Sequence, residues 1–345
     1  MSYDLCWDTI NLLGGGRPAH TEYTLHYELL ERVTGLPRDH PALEQRFRQC
    51  WQIDLCWHTN DGPAPWGERG RVTDMGHAAF LADGSDRRAG RPSPFKNVDD
   101  VLAFDAVEEY GLPPLDDLVR YYEDDFRQGQ GARPEAVFPG GYYKTLVSGA
   151  IQAFGWDLLL EAAAHQREFE RVLDGFCELS LHHFKAWART STKVFICHDD
   201  MVWSGGPFMH PDFYRRAVFP RYRKLWAVLK EAGKKVLYCS DGRWTDFMDD
   251  VARAGADGFI FEPLTSFDRA VEKFGRSHVL VGSQVDCRTL TFGTREQIRA
   301  EIDASLTLGL PCPGWIAAVG NHIAPNVPLE NALFYFEYLS ARWQR

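Results

Sequence analysis

The sequence Val194-Phe-Ile-Cys-His-Asp-Asp200 passes from a short apolar strand directly into three side chains that can bind metals or protons. The same change recurs four more times toward the C-terminus, each time followed by a helical pattern. The other runs are Val236–Tyr238 before Cys239 and Asp241, Gly258–Phe261 before Glu262, Val279–Gly282 before Gln284 and Asp286, and Trp315–Gly320 before Asn321 and His322. Near-continuous apolar strands that alternate with helices predict a parallel sheet covered by helices.

This alternation predicts an α/β protein with the TIM (β/α)₈ barrel fold. The pattern gives seven strands, near residues 52, 137, 194, 236, 258, 279 and 315, and the eighth is not evident. In such barrels all strands end on one face, where these enzymes carry their catalytic residues. The polar residues after the strands therefore predict one active site at the barrel mouth.

The chain is expected to form a single domain, with residues 1–50 as an N-terminal cap segment and residues 51–345 as the barrel. The stretch Gly62–Pro94 is rich in Gly, Pro, Arg and Asp and is long for a strand-to-helix connection. We expect it to pass over the C-terminal face of the barrel, where Asp74 and His77 would reach the site.

Composition limits the possible functions. The 345 residues are 45% hydrophobic, which is enough for one large core, and the net charge of −10 argues against a nucleic-acid partner. The eight cysteines form no CxxC pair, so we expect reduced thiols in the cytoplasm. The sequence contains neither a signal-peptide pattern nor an 18-residue apolar stretch, and it therefore predicts no membrane association.

Several spaced motifs resemble the uroporphyrinogen decarboxylase superfamily. The resemblance is close over about residues 190–345 and looser over 50–110. It rests on Gly233-Lys-Lys-Val-Leu-Tyr-Cys-Ser-Asp-Gly242, Ala256-Asp-Gly-Phe-Ile-Phe-Glu-Pro263, Val281-Gly-Ser-Gln-Val-Asp286, Leu290 with Gly293-Thr294, and Asn321-His-Ile-Ala-Pro-Asn-Val-Pro-Leu-Glu-Asn331. The resemblance implies a TIM barrel that serves either cofactor-free decarboxylation or zinc-dependent methyl transfer with corrinoid proteins or tetrahydrofolate.

The resemblance to the decarboxylase branch is incomplete. That branch holds its substrate with an N-terminal Arg-Gln-Ala-Gly-Arg motif, whereas Asn11-Leu-Leu-Gly-Gly-Gly-Arg-Pro18 offers Arg17 alone. The histidine that these decarboxylases carry before the last helix aligns with Asn321, although His322 is adjacent. The resemblance therefore favours the methyltransferase branch.

The methyltransferase branch carries metal ligands in a His-x-Cys motif and a further cysteine on the last strand. In this sequence those positions fall on Cys239 and Asp241, and on Asn321 or His322. Cys239, Asp241 and His322 would offer sulfur, oxygen and nitrogen to a Zn²⁺ ion with one open position. Alternatively, Cys239 is a buried thiol, Asp241 caps the helix near Trp244, and His322 binds substrate.

A second cluster carries the predicted proton chemistry. Because successive strand residues face opposite sides, His198 and Asp200 are expected to share a direction and Asp199 to point away. His198, Asp200 and Glu262 are the candidate catalytic residues. The alternatives are that the carboxylates orient a metal ligand or cap a helix, and that Glu262 pairs with Arg243.

A further set of side chains is expected to contact a small-molecule substrate, with the aromatic members and Trp244 forming a wall of the pocket or, alternatively, ordinary core packing. The candidate substrate-binding residues are Asp199, Tyr142, Tyr143, Trp203, Arg243, Gln284, Asn321 and His77.

Three functions are compatible with these residues. The first is methyl transfer from a small methylated substrate, such as an aryl methyl ether or a methylamine, to a corrinoid or tetrahydrofolate acceptor, with zinc assisting and a corrinoid protein as partner. The second is decarboxylation or another cleavage of a small carboxylated substrate by a lyase. The third is non-enzymatic binding of a corrinoid or tetrapyrrole. In the second case the carboxylate clamps would be Arg17, Arg69, Arg71 and Arg243. The oligomeric state stays open.

Overall fold

The computed structural model describes residues 1–64, 66, 81–82 and 92–344. Within these residues, seven strands form one parallel sheet in the spatial order β1-β7-β6-β5-β4-β3-β2. The strands are β1 (Ala19–His20), β2 (Gly140–Tyr142), β3 (Val194–His198), β4 (Lys235–Cys239), β5 (Gly258–Ile260), β6 (Val279–Val281) and β7 (Trp315–Ala317). Their order and helical covering confirm the predicted α/β barrel.

Residues 54–56 lie between the two ends of this sheet. The amides of Asp54 and Leu55 donate to the carbonyl of His20, over 2.7 and 3.2 Å. On the other side Leu55 forms a parallel bridge with Val137, and the Cys56 amide donates to the Val137 carbonyl over 2.9 Å. These bonds close the sheet into a barrel. The first predicted strand, near residue 52, is thus reduced to a single bridge at Leu55.

The strand missing from the sequence pattern is β1, which pairs with β7 from within the expected cap segment 1–50. A two-residue strand carries no alternating pattern, which is why the sequence did not reveal it. Helix α1 (Tyr3–Ile10) closes the N-terminal end of the barrel, where the Lys193 ammonium lies over the rings of Tyr3 and Trp7. Residues 1–50 therefore complete the barrel itself.

Helices cover the outside of the sheet. After α1 they are α2 (Tyr27–Thr34), α3 (Leu43–Cys50), α4 (Val98–Leu102), α5 (Ala106–Tyr110), α6 (Leu115–Gly131), α7 (Leu146–Phe154), α8 (Trp156–Ala164), α9 (Gln166–Ala188), α10 (Pro211–Phe213), α11 (Phe219–Glu231), α12 (Met248–Ala254), α13 (Phe267–Phe274), α14 (Cys287–Phe292), α15 (Arg295–Gly309) and α16 (Leu329–Ser340). Within the described residues, none of these helices has the length and apolar character needed to cross a bilayer.

The helical region between β3 and β4 is irregular before Pro220. A π-helical segment, Tyr214–Val218, joins α10 to α11, and Pro220 follows in the first turn of α11. The change in hydrogen-bond pattern therefore precedes the proline, whose missing N–H is tolerated in a first turn.

The barrel interior is apolar in its middle and polar at the C-terminal ends of the strands. Ile196, Leu237, Ile260, Val281 and Ile316 pack together inside the barrel, with Cys6 and Ile10 of α1 in the same cluster. Because alternate residues of a strand face the same side, the next inward positions fall beyond this layer, at the strand C-termini. The apolar layer therefore lies directly beneath the polar residues at the strand C-termini.

Candidate active site at the barrel mouth

A cavity of about 370 Å³ opens at the C-terminal ends of the strands. It brings together residues that follow β2, β3, β4, β5 and β7, although they are far apart in the sequence. Of the predicted site residues, those that line it are Tyr143, His198, Cys239, Asp241, Glu262, Asn321 and His322. Asp200 lies against this group through bonds to His198 and Tyr143.

His198, Asp200 and Tyr143 form a connected unit. The His198 Nε2 atom is 3.2 Å from Asp200 Oδ1, and the Tyr143 hydroxyl donates to Asp200 Oδ2 over 2.8 Å. The Tyr143 ring stacks on the His198 ring at a centroid distance of 3.8 Å. The stacked Tyr143 ring therefore holds the face of the imidazole, and the Asp200 carboxylate holds its Nε2 edge.

Asp200 is ionised at neutral pH despite its burial. Burial opposes the charge, but the His198 imidazole and hydrogen bonds from the Asp241 amide and the Tyr143 hydroxyl hold the pKa of Asp200 below its usual value. Burial, followed by the charges of Asp200 and Asp241, raises the pKa of Tyr143 well above its usual value. The phenol thus stays a proton donor to a permanent carboxylate.

Asn321 orients two ionisable neighbours. Its Nδ2 donates to Asp241 Oδ2 over 3.0 Å, so its Oδ1 faces His322 Nδ1 at 2.7 Å and accepts a hydrogen bond from it. Asn321 has a φ of 66°, a left-handed conformation that costs energy for a residue with a Cβ atom. This conformation lets both Asn321 and His322 face the cavity.

Glu262 is the group whose protonation changes near neutral pH. Burial raises its pKa to about 7, and the negative charges of Asp200 and Asp286 act in the same direction. The Gly242 amide opposes this shift by donating to Glu262 Oε1 over 2.6 Å. Such a carboxyl can both give and accept a proton at physiological pH.

The structure groups His198, Asp200 and Asp241 as candidate metal ligands. One ligand atom from each lies within 4.8 Å of the others, and among the described residues this is the set that meets that condition. The set expected from the sequence was Cys239, Asp241 and His322. Only Asp241 belongs to both sets. The His322 ring is instead turned onto Asn321 and packs against Tyr23 at 5.4 Å. One nitrogen and two carboxylates suit Zn²⁺ and also harder divalent ions.

Cys239 lines the cavity but is not part of that group. Burial raises the pKa of its thiol well above the usual value, and the nearby charges of Asp241 and Asp200 raise it further. The side chain is therefore a neutral thiol unless a cation displaces its proton.

Asp199, predicted to bind substrate, has a structural position instead. Its side chain points away from the cavity and accepts from the amides of Val147 and Ser148, over 3.2 and 2.6 Å, and from the Tyr222 hydroxyl. Those two amides belong to the first turn of α7, so Asp199 caps that helix from another strand. Burial raises its pKa to about 6.

Four further residues predicted to bind substrate do not line this cavity. Tyr142 is fully buried and stacks on His183 at 4.8 Å. Trp203 is 45% exposed, and Arg243 bonds the Gly205 carbonyl and Asp246. Gln284 donates to Asp268 over 2.8 Å. Tyr142 belongs to β2, and the other three residues lie in the connections that follow β3, β4 and β6.

Other predictions from the same regions have separate outcomes. Trp244, proposed for an aromatic wall, is buried, and its indole donates to the Ser240 carbonyl. Arg17, proposed as a carboxylate clamp, forms an ion pair with buried Asp54 at 2.7 Å. The predicted residues that lie outside the described part of the chain are Arg69, Arg71, Asp74 and His77.

The structure adds cavity residues that the sequence did not reveal, namely Thr21, Glu22, Tyr23, Trp57, Thr59, Asp61 and Gln152. Alternation along the segment after Leu55 could have identified Trp57, Thr59 and Asp61, since they share one direction. Glu22 is held by the Val319 amide, His20 and the Tyr335 hydroxyl. Glu22 follows β1, which was too short to predict, so no comparable signal existed.

The cavity is acidic. Its described lining contains the carboxyl groups of Glu22, Asp61, Asp241 and Glu262, and neither lysine nor arginine is among those residues. Such a lining favours a bound cation and disfavours a substrate with several carboxylates.

Comparisons with known proteins agree with this architecture. Uroporphyrinogen decarboxylase of Syntrophotalea carbinolica is 28% identical over 246 residues, which cover 70% of this chain and 68% of that protein. The same enzyme of Geobacter metallireducens is 24% identical over 238 residues, 67% of this chain and 68% of that protein. A methyltransferase from Methanosarcina mazei shares the fold, with a TM-score of 0.67, 20% identity and 98% of both chains covered.

A family model supplies the assignment. Residues 147–341 match the model described as uroporphyrinogen decarboxylase (URO-D), and this match spans more than half of the chain. It includes β3 to β7 and most of the cavity residues discussed above. The chain therefore belongs to the uroporphyrinogen decarboxylase family.

Proposed function

We propose that this protein is a metal-assisted methyltransferase that moves a methyl group from a small methylated substrate to a corrinoid or pterin acceptor. The observation that supports this most is the group of His198, Asp200 and Asp241 in an acidic cavity. The fold it shares with the Methanosarcina mazei methyltransferase is consistent with this chemistry.

The residues present fit a divalent cation. His198, Asp200 and Asp241 would hold it, with Zn²⁺ as the first candidate, and Cys239 lines the same cavity. When bound, such a cation supplies Lewis acidity to the heteroatom that carries the methyl group. Asn321 fixes the Asp241 carboxylate, and Tyr143 fixes Asp200, so the ligand atoms are oriented before binding.

The remaining chemistry belongs to the chain's own side chains. Tyr23, Trp57 and Tyr143 offer aromatic surface for an aryl or methylated ammonium group. When the methyl group passes to the lone pair of the acceptor, the donor heteroatom keeps the bonding pair. With an aryl methyl ether the leaving group is an aryloxide, and Glu262, with its pKa near 7, supplies the proton that neutralises it; a methylated ammonium leaves as a neutral amine and needs no proton.

Decarboxylation of a small carboxylated molecule is the second candidate, because the relatives named above are decarboxylases. The charges in the cavity weigh against it. Arg17 is paired with Asp54, and Arg243 is bonded outside the cavity, so neither proposed clamp of the described chain faces a substrate. A single carboxylate could still bind a cation held by the same ligands.

Elemental analysis joined to a transfer assay tests the proposal. Purified protein, reconstituted with Zn²⁺, is mixed with cob(I)alamin or tetrahydrofolate and a panel of aryl methyl ethers and methylamines. We expect about one metal per chain and formation of methylcobalamin or methyltetrahydrofolate. Asp241→Asn should lose both, whereas Asp246→Asn, an exposed control beside Arg243, should keep both.

Two results would contradict the proposal. One is protein that binds no metal yet transfers methyl groups at full rate. The other is metal-free protein that releases CO₂ from a panel of aryl and short-chain acids, which would establish the decarboxylase.

A further inference from the structure

A second cavity, of about 470 Å³, lies beside the barrel, outside the site described above. It is bounded by α2, α3, α6 and the segment that follows Ile53. Glu22, Tyr23 and Trp57 line this side cavity and also line the cavity at the barrel mouth. The two cavities therefore share one wall.

The side cavity has flat apolar surfaces. Phe47 of α3 and Phe138, which precedes β2, line it together with Tyr27 and Trp57. The guanidinium of Arg133 lies 5.4 Å from the centre of the Phe138 ring. Aromatic rings combined with a guanidinium plane favour ligands with a planar unsaturated body.

Positive charge collects at the outer end of the side cavity. A neighbouring surface cavity of about 320 Å³ shares Arg48 and Arg133 with it and adds Arg38 and His40. The carboxylate of Glu44 lines both cavities and forms a 3.3 Å ion pair with Arg48. The Glu44 side chain is 60% exposed, so it can turn into solvent and leave the Arg48 guanidinium, which lines both cavities, to a ligand.

The acidic groups deeper in the side cavity are already engaged. Asp125 is 2.8 Å from His58 Nε2, and despite its partial burial this contact holds the Asp125 pKa below its usual value. Glu22 accepts from the Tyr335 hydroxyl and the Val319 amide. The arginines thus carry the charge that is available to a ligand, in a chain whose net charge is −10.

We propose that the side cavity is a second binding site, for an elongated organic anion. Arg38, Arg48 and Arg133 bind its carboxylate or phosphate at the outer end. Its planar body lies against Phe47 and Phe138, and its far end reaches the shared wall at Trp57. This site goes beyond the proposed function, because it takes a ligand of opposite charge in a different cavity and needs no metal.

Calorimetric titration of the full chain tests the site. The probes are biphenyl-4-carboxylate and biphenyl-4-yl phosphate, compared with uncharged biphenyl-4-carboxamide and with inorganic phosphate. We expect both biphenyl anions to bind and the amide to bind about tenfold more weakly or worse, since charge-assisted bonds are the stronger ones. A result in which only the carboxylate or only the phosphate binds would identify the anionic group and support the site.

Variants locate the binding in the side cavity. Arg48→Gln and Arg133→Gln should each weaken the biphenyl anions by about tenfold. Arg46→Gln, on the same helix α3 but exposed and outside both cavities, should bind as the wild type does. Ala132 lines both the side cavity and the neighbouring surface cavity. Ala132→Phe fills the space where they meet and should block binding without removing a charge.

Several outcomes would overturn this site. They are equal binding of the amide, undiminished binding by both arginine variants or by Ala132→Phe, and binding of inorganic phosphate as tight as that of the biphenyl anions. Failure of the methyltransferase proposal is distinguishable, because Asp241→Asn should bind the biphenyl anions normally and Arg48→Gln should keep its metal. If the arginine variants do not fold, the Ala132→Phe variant and the comparison of biphenyl-4-carboxamide with the biphenyl anions still test the site.

Discussion

The neighbouring carboxylates Asp199 and Asp200 belong to opposite faces of the same strand end. Asp200 faces the barrel interior, where it contacts His198 and Tyr143 beside the candidate metal ligand Asp241. Asp199 faces the helices and caps α7. The two residues show that, at a barrel mouth, the facing direction of a strand residue separates a chemical position from a structural one.

The same difference extends around the barrel. Side chains that point inward at and after the ends of β3, β4 and β5 meet in the acidic cavity, whereas Asp199 on the other face binds α7 and Tyr222 of α11. Removing an inward group should therefore change chemistry more than stability, and removing an outward group should do the reverse. Four substitutions test this contrast, from the largest expected effect to the smallest.

The largest effect is expected for Asp200→Ala. The variant loses an oxygen of the candidate metal group and the acceptor that orients His198 and Tyr143, so the proposed methyl transfer should fall by about 1000-fold. Water in the cavity can replace the lost hydrogen bonds, and the melting temperature of the metal-free protein should change little. Assays of kcat and metal content, with calorimetric melting, measure both; a large loss of stability would remove the contrast with Asp199.

Glu262→Gln should lower kcat by about 100-fold, because the proton donor to the leaving group is lost. The wild-type kcat should fall as pH rises through about 7, where Glu262 loses its proton, and this limb should be absent from the variant. A rate profile from pH 5.5 to 9 measures both. An unchanged alkaline limb in Glu262→Gln would assign the proton transfer to another group.

The same substitution has a stability consequence of known sign. The folded-state pKa of Glu262 is raised from 4.5 to about 7, so its protonated form stabilises the fold below about 4.5, and this contribution is lost as pH rises through about 7. Glu262→Gln keeps an acceptor for the Gly242 amide without the buried charge. Its melting temperature relative to wild type should therefore increase from pH 5 to pH 9.

Asp199→Ala should destabilise the protein by about 2–3 kcal/mol, because the amides of Val147 and Ser148 and the Tyr222 hydroxyl lose their buried acceptor. Urea unfolding at pH 7.5 measures the loss. The folded fraction should keep its metal, in contrast to Asp200→Ala. Loss of metal from correctly folded Asp199→Ala would show that both faces serve the site.

Asn321→Gly should have the smallest effect, with kcat lowered about tenfold and stability changed by less than about 1 kcal/mol. Glycine adopts the φ of 66° without strain but removes the amide that holds Asp241 and His322. Asn321→Ala, which lacks the amide and is strained, should unfold more easily by about 1 kcal/mol. Equal kcat for Asn321→Gly and wild type would deny Asn321 a positioning role.

Much of the fold could be predicted from the sequence because long apolar runs identify strands buried on both faces. β3, β4, β5, β6 and β7 all follow such runs, and their ends supplied most of the cavity residues. β1 could not be predicted, because two residues carry no periodicity, and Glu22 and Tyr23 were missed with it. Their position depends on pairing with β7.

The individual roles were harder to predict than the location of the site. Cys239 and His322 line the cavity, whereas the candidate metal ligands that lie close together are His198, Asp200 and Asp241. A difference of a few ångströms between side chains depends on packing and on the backbone conformation of Asn321, and neither is encoded in spacing. Aromatic residues were the weakest signal, since Tyr142 and Trp244 pack in the core as most aromatic residues do.

The pairing of β1 with β7 also has a consequence for synthesis. Ala19 meets Ile316, so 297 residues separate partners that must join before the barrel closes. Contacts of such long sequence separation form late and slowly. A nascent chain emerging from the ribosome would carry an open sheet edge until its last strand is made, which is a reason to expect dependence on chaperones during expression.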